Sequence, residues 1–366
     1  MQGAQGRIKY LDGLRGIAIM LVILSHYWGL GWTEILPFGD RFGSIRVIRQ
    51  GWVGVELFFL ISGFVILMTI ERCVDLKQFL YKRWLRLFPA MLIVTIVTLA
   101  FNWSIQPVEQ FANSRWYDAV PGLTFFPPSF YHMVFDVDID SLHRSFWSLY
   151  TEVSFYIVFG ILFFVLGWKR ATLAIAIIGL LVVFGRAILM QAGVSGSGLR
   201  IIEPFGWLGI KFYVWFASGI LFARAKTLND DRIFALACAV GLVAATLVSP
   251  NSAPLKWDDS YAMIAVLILF AVAQKLSVLQ HMLEWRPLLL LGAVSYPLYL
   301  VHETVGLGLV VLTHRYLPQI PDALMPITTL VLMIAVSYWI TRKVEPVLKS
   351  RLENMVSRRN VAAAAT

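Results

Sequence analysis

Arg15 and His26 lie within one apolar stretch, YLDGLRGIAIMLVILSHYWG, running from Tyr10 to Gly29. On an α-helix eleven residues rotate through about 1100°, which leaves the two side chains within roughly 20° of one face and about 16 Å apart along the axis. A guanidinium keeps its charge and grips phosphate through two parallel hydrogen bonds, while a neutral imidazole takes a proton from a hydroxyl near physiological pH. The pair therefore suits a phosphate-bearing donor held at Arg15, with its reactive end reaching toward a hydroxyl acceptor at His26. An ionisable group at the centre of a spanning helix costs at least ~2.5 kcal/mol and so tends to face a polar cavity. The competing reading is structural: Arg15 reaches back to the interface and His26 caps the outer end, each hydrogen-bonded and inert.

These residues need a scaffold, and the composition names its class. Of 366 residues, 58% are hydrophobic and 14% charged, with mean hydropathy +0.72, too apolar for a soluble chain of this length. Runs such as LAIAIIGLLVVFG exclude the short alternating strands of a membrane barrel. We expect an all-α polytopic bundle of about ten spans: 14–30, 53–70, 87–103, 146–167, 171–190, 205–223, 233–248, 261–276, 288–312 and 323–340. With an even number, both termini share a side. Twenty of the Lys and Arg residues fall on that side, against eight opposite (Arg41, Arg46, Arg49, Arg115, Arg144, Arg200, Lys256, Arg315), so the excess of positive charge predicts cytosolic termini. The net charge of +9 is thus a matter of topology and does not call for a nucleic-acid partner. Arg15 and His26 inside the first apolar segment, with no small-residue cleavage site after it, argue for a retained span in place of a signal peptide. Residues 1–349 are expected to form the membrane domain and 350–366 a basic, disordered cytosolic tail. The longest outer connection, Ser104 to Ser145, contains GLTFFPPSFYHMVF and is expected as a lid over a site or a packed surface loop. Cys73 and Cys238 lack disulfide or metal spacing.

Other polar residues at membrane depth have two readings each. Gly51, Gly54 and Gly63 let helices approach closely, whereas Glu56 and Ser62 beside them could line a cavity. Arg83 and Arg86 lie i, i+3 on one face, with Lys82 alongside; they are either ordinary cytosolic anchors or phosphate ligands. Glu152 needs a partner, either Arg144 or, by the logic of carboxylate–histidine pairs, His26. Ser295, Tyr296, Tyr299 and His302 fall near a kink expected at Pro297, as interhelical glue or acceptor contacts. Glu303 has no assigned role, and His132, His143, His281 and His314 are assigned none. No G-x-S-x-G elbow and no H-E-x-x-H spacing occurs, so nucleophilic serine and metal chemistry are disfavoured.

Taken together, Arg15 and His26 after LDGLRGIA, GWVGVELFFLISGF (Gly51 to Phe64), YKRWLRLFP (Tyr81 to Pro89), FWSLYTEVSFY (Phe146 to Tyr156) and GAVSYPLYLVH (Gly292 to His302) resemble the acyltransferase 3 family, membrane enzymes that typically O-acylate sugars from acyl-coenzyme A. The resemblance runs from Tyr10 to about Pro346. It implies a membrane O-acyltransferase carrying an acyl group, first of all acetyl, from cytosolic acyl-coenzyme A to a hydroxyl of a cell-surface or lipid-linked carbohydrate. It implies His26 and Glu152 as catalytic, Arg15, Asp12, Arg83, Arg86 and Ser62 as donor-binding, and Trp147, Ser148, Tyr296 and His302 as acceptor-binding, with no metal. Membrane lipids, the glycan acceptor and glycan-assembly proteins are the expected partners, and the cytoplasmic (inner) membrane the location. One departure stands out, Thr151-Glu152-Val153 in place of a Trp-flanked acid, and the stand-alone form, without the extracytoplasmic SGNH esterase-like domain that some members append, is the expectation. Direct attack by the acceptor hydroxyl needs fewer parts than an acyl-histidine, which stays open. Two rivals remain: a carbohydrate or lipid-carrier transporter, which predicts translocation without an acyl donor, and an acyltransferase whose acceptor is an antibiotic-type small molecule.

Overall fold

The computed structural model describes residues 8–29, 32–105, 114–193, 206–248 and 257–364, and among them helices and turns are present and strands are not. Eleven longer helices carry the architecture: α1 (Lys9–Trp28), α2 (Gly54–Ile70), α3 (Leu76–Ile105), α4 (Trp147–Gln191), α5 (Tyr213–Leu228), α6 (Asp231–Leu247), α7 (Trp257–Lys275), α8 (Arg286–Val301), α9 (Leu307–Tyr316), α10 (Met325–Trp339) and α11 (Glu345–Ala364). Seven helical stretches combine at least 18 residues with the composition a bilayer crossing requires: Lys9–Trp28, Gly51–Ile70, Leu76–Ser104, Arg144–Leu189, Trp257–Lys275, Arg286–Tyr316 and Met325–Met355. The chain is an all-α membrane bundle.

Seven and the expected ten differ for two reasons. Helices α5 and α6, with 16 and 17 residues, are shorter than that length. The long stretch α4 holds two expected spans joined at Gly167, whose φ of 76° and ψ of 166° belong to a region open to glycine and strained for other residues. Thr151 abuts Gly209, and Gly179 abuts Ile210 and Val214. On an unbroken helix residues 151 and 179 would stand about 42 Å apart, so α4 doubles back at Gly167. Its second half turns Leu173, Ile177, Leu181, Phe184 and Ile188 outward, each at least 46% exposed. An apolar stripe at helical spacing on the outside of a bundle is the surface that lipid covers.

Helices α1, α2 and α8 form the centre. Leu14, Ala18, Ile19, Val22 and Ile23 are all essentially inaccessible and the stripe Ile17, Met20, Leu21 and Leu24 is half-buried, so no face of α1 beyond its first residue stands open, as suits a core helix. Where α2 crosses α5, Gly63 faces the Phe216 carbonyl and Gly219 the Leu60 carbonyl, and a Cβ at either position would come within 2.2 Å of the facing oxygen. Backbone approach this close is how helices gain contact in lipid, where no hydrophobic effect drives them together.

The polypeptide departs from expectation in three further places. Pro297 sits inside α8, but the irregular segment comes five residues later, as a π-turn over His302–Gly306. Residues 350–364, expected as a disordered tail, continue as α11, rich in good helix formers. The outer connection forms a short helix, Pro128–Phe135, with none of its residues buried. Arg7, Arg200 and Lys256 lie outside the described residues, as do 106–113.

Candidate active site

Five segments meet around one cleft. Arg15 comes from α1, Phe58 and Ser62 from α2, Arg83 and Arg86 from α3, Ser148, Glu152 and Tyr156 from α4, and Tyr296 and Tyr299 from α8; the space enclosed, open mouth included, is ≈ 780 Å³. The spacing explains the convergence: Ser148, Glu152 and Tyr156 repeat every four residues, while Arg83 with Arg86 and Tyr296 with Tyr299 repeat every three, so each set occupies one helix face. Glu152 is fixed by two donors. The Ser62 hydroxyl gives it a hydrogen bond of 2.6 Å and the Tyr156 hydroxyl bonds the same oxygen. Arg15 Nη1 lies 2.9 Å from Asp12 Oδ1. Arg83 donates to the Thr69 hydroxyl at 3.2 Å and lies over the Tyr156 ring, while its buried Nε has no partner. Three guanidinium groups thus face one lining carboxylate, Glu152, with Asp12 behind Arg15. The surplus of planar cations fits a ligand with several phosphate oxygens.

Beyond the cleft, His26 on α1 meets His302 at the end of α8. His26 Nδ1 and His302 Nε2 are 2.8 Å apart, and the ring planes are 13° apart with centroids at 4.9 Å. At that nitrogen separation the rings meet edge to edge through a hydrogen bond, because 2.8 Å is a donor–acceptor distance and too short for stacked π faces. His302 Nδ1 is 2.6 Å from the Tyr299 carbonyl oxygen, which can only accept. With both rings neutral, His302 therefore carries its proton on Nδ1 and presents a bare Nε2. His26 must donate from Nδ1, and its own Nε2 is left unprotonated. The π-turn belongs to this arrangement: at its start the Tyr299 carbonyl takes the His302 ring, and the His302 carbonyl takes the Tyr27 hydroxyl at 3.0 Å. Gly306 closes the turn, where a Cβ would lie 2.0 Å from the Tyr27 hydroxyl. Insertions of this kind are frequent at functional sites.

Tyr299 joins the two parts. Its ring lines the cleft and stands 5.3 Å from His302. Its hydroxyl lies 2.7 Å from Ser148 Oγ and donates to the Ser145 carbonyl at 3.0 Å.

Of the residues singled out in the sequence, Arg15, Ser62, Arg83, Arg86, Ser148, Glu152 and Tyr296 line the cleft. His26 and His302 form the pair beside it. Asp12 acts on the cleft through Arg15, and Trp147 packs against Phe59 and Phe212. Neither partner considered for Glu152, Arg144 or His26, is the one it meets: Glu152 is held by Ser62 and Tyr156, and His26 by His302. Tyr156 was missed, although its place four residues after Glu152 on the same face was a usable signal. Glu303 accepts from the Ser145 backbone N–H at 2.6 Å, pinning the start of α4 to the π-turn. Among the described residues no group of His, Cys, Asp and Glu could hold a metal ion.

Residues 8–342 match the acyltransferase domain of the acyltransferase 3 family. The chain belongs to that family. The acyltransferase 3 domain here is similar to peptidoglycan O-acetyltransferase OatA of Listeria monocytogenes, 25% identical over 329 residues, and to O-acetyltransferase OatA of Staphylococcus aureus, 26% identical over 326 residues. Each alignment covers 81% of the chain and 49% and 50% of the respective relative, so the chain spans about half the length of the curated relatives it matches. No solved structure matches it.

Proposed function

We propose that this acyltransferase 3 domain is a membrane O-acetyltransferase that moves an acetyl group from acetyl-coenzyme A to a carbohydrate hydroxyl. The carrying observation is the placement, on one buried helix, of an arginine in a cation-rich cleft and a histidine whose outer nitrogen is left unprotonated. The donor enters from the cytosolic face, where the positive residues concentrate, and Arg15, Arg83 and Arg86 hold its phosphates. The acceptor is a cell-surface or lipid-linked glycan approaching from the other side; the name of the Listeria relative supports peptidoglycan as the first acceptor to try. His26 Nε2 takes the proton of the acceptor hydroxyl as its oxygen attacks the thioester carbonyl. The carbon–sulfur bond breaks, the acetyl group becomes an ester on the sugar, and coenzyme A leaves as a thiolate that takes up the proton released from His26. Glu152, Ser62 and Tyr156 line the path of the acyl group, and Trp147, Ser148, Tyr296 and His302 shape the acceptor end. The enzyme works in the cytoplasmic membrane alongside glycan-assembly proteins.

The test is transfer of labelled acetyl from acetyl-coenzyme A to peptidoglycan fragments and other glycans by the purified protein in lipid. The wild type yields O-acetyl ester and His26→Ala does not, while remaining folded. Turnover retained in His26→Ala removes the base assignment, and glycan crossing the bilayer without acetyl donor would favour a transporter.

A further inference from the structure

A second groove opens near the N-terminus of α1, between α1, α8 and the π-turn Ile340–Val344 that follows α10. Lys9, Arg286 and Arg342 stand on its rim, and Leu289, Leu290 and Tyr338 are in its wall. The three basic residues are exposed. Among the described residues none of them is ion-paired. The one carboxylate in the lining, Asp12, is buried and is engaged with Arg15 of the neighbouring cleft. Arg342 lies 5.7 Å above the Tyr338 ring, and both residues line the groove. Three like charges around one concavity, whose one lining carboxylate is committed to Arg15, make an anion-attracting site.

The wall decides which anion. Leu290 and Tyr338 are 40% and 44% exposed, so the wall belongs to the outward apolar surface of the bundle and is a track for a hydrocarbon chain. We propose that this groove binds the phosphodiester headgroup of an anionic phospholipid, with Lys9, Arg286 and Arg342 around the phosphate and one acyl chain along Leu289 and Leu290. Phosphate alone would satisfy the rim and leave the wall unused. Basic pockets between spanning helices take such headgroups, with each Lys or Arg near the surface adding about a fivefold gain in affinity.

Native mass spectrometry of the full chain in detergent, titrated with phosphatidylglycerol, phosphatidylcholine, inorganic phosphate and coenzyme A, tests the assignment. Phosphatidylglycerol is expected to bind in preference to phosphatidylcholine, and neither inorganic phosphate nor coenzyme A to displace it at equal concentration. The double variant R286Q/R342Q is expected to lose about 30-fold, and Arg342→Gln alone about fivefold. The control K343Q/K349Q removes the same charge outside the groove and should stay within about twofold. Equal loss in the control would mean diffuse surface charge and would overturn the site. Equal binding of the two lipids, or displacement by phosphate or coenzyme A, would overturn the lipid assignment in favour of a chain track or a soluble phosphate. Because the variants lie on the surface, their melting temperatures should match the wild type; Arg342→Gln keeps the readout should the double variant unfold.

Discussion

In the cleft, three guanidinium groups gather and the ion pair they make among the described residues is that of Arg15 with Asp12, whereas around His26 and His302 each direct partner is neutral: a ring nitrogen, a backbone carbonyl, a tyrosine hydroxyl. The cleft keeps cationic capacity in reserve for a ligand. The histidine pair keeps none, since every hydrogen-bonding position but one is used inside the bundle. The first region is organised to bind charge, the second to hold a single proton acceptor in one orientation. Tyr299 is the joint between them, with its hydroxyl facing Ser148 and its carbonyl facing His302.

Substitutions break this comparison in order of size. Replacing His26 by Ala removes the acceptor nitrogen and is expected to lower kcat by 10²–10⁴-fold, the usual worth of a general base, with donor KM little changed; an equal rise in donor KM would merge the two regions into one. Replacing His302 by Ala leaves His26 free to take either tautomer. By the standard of partners that orient a functional imidazole, kcat should fall roughly 10- to 100-fold, and His302→Asn, whose side-chain oxygen can still accept from His26 Nδ1, should recover part of it. No recovery with Asn would point to packing alone. Arg15→Lys keeps the charge and loses the two-pronged geometry, so donor KM should rise about tenfold while kcat holds; a change confined to kcat would move Arg15 to the histidine side. Smallest is Ser62→Ala, which deletes one of the two hydrogen bonds to Glu152. A loss near 1 kcal/mol corresponds to about fivefold in activity, and kinetic measurements on purified protein in lipid resolve it. No change at all would mean that Tyr156 suffices to hold the carboxylate.

Much of the cleft was legible before any coordinates. Arg15, Ser62 and Glu152 each carry a polar group into an apolar run, and the cost of doing so marks such residues one at a time; Arg83 and Arg86, in a basic boundary stretch, stood out through the family resemblance. The break between 167 and 171 was legible as well, because Gly167, Trp168, Lys169 and Arg170 interrupt two hydrophobic runs; the structure adds that glycine alone makes the reversal. The kink expected at Pro297 was misplaced. A missing N–H weakens one hydrogen bond, but the irregularity falls where Tyr27, Tyr299 and His302 exchange side-chain for backbone bonds. The sequence left Glu152 between Arg144 and His26, because the donor that competes from another helix, Ser62, comes within reach only through the way α2 and α4 cross.

By itself the sequence determined the class of the molecule, the helical segments that cross or approach the bilayer, and which side chains bear chemistry, because hydropathy, helical period and the penalty for a polar group in lipid are local properties. Only the tertiary structure decided which of those side chains meet. Whether His26 leans on a carboxylate or on His302, 276 residues further along, depends on how α1 crosses α8, a crossing set by close backbone contacts such as those of Gly16 with the Leu288 carbonyl and Gly292 with the Asp12 carbonyl, and no spacing within one segment encodes the distance between two.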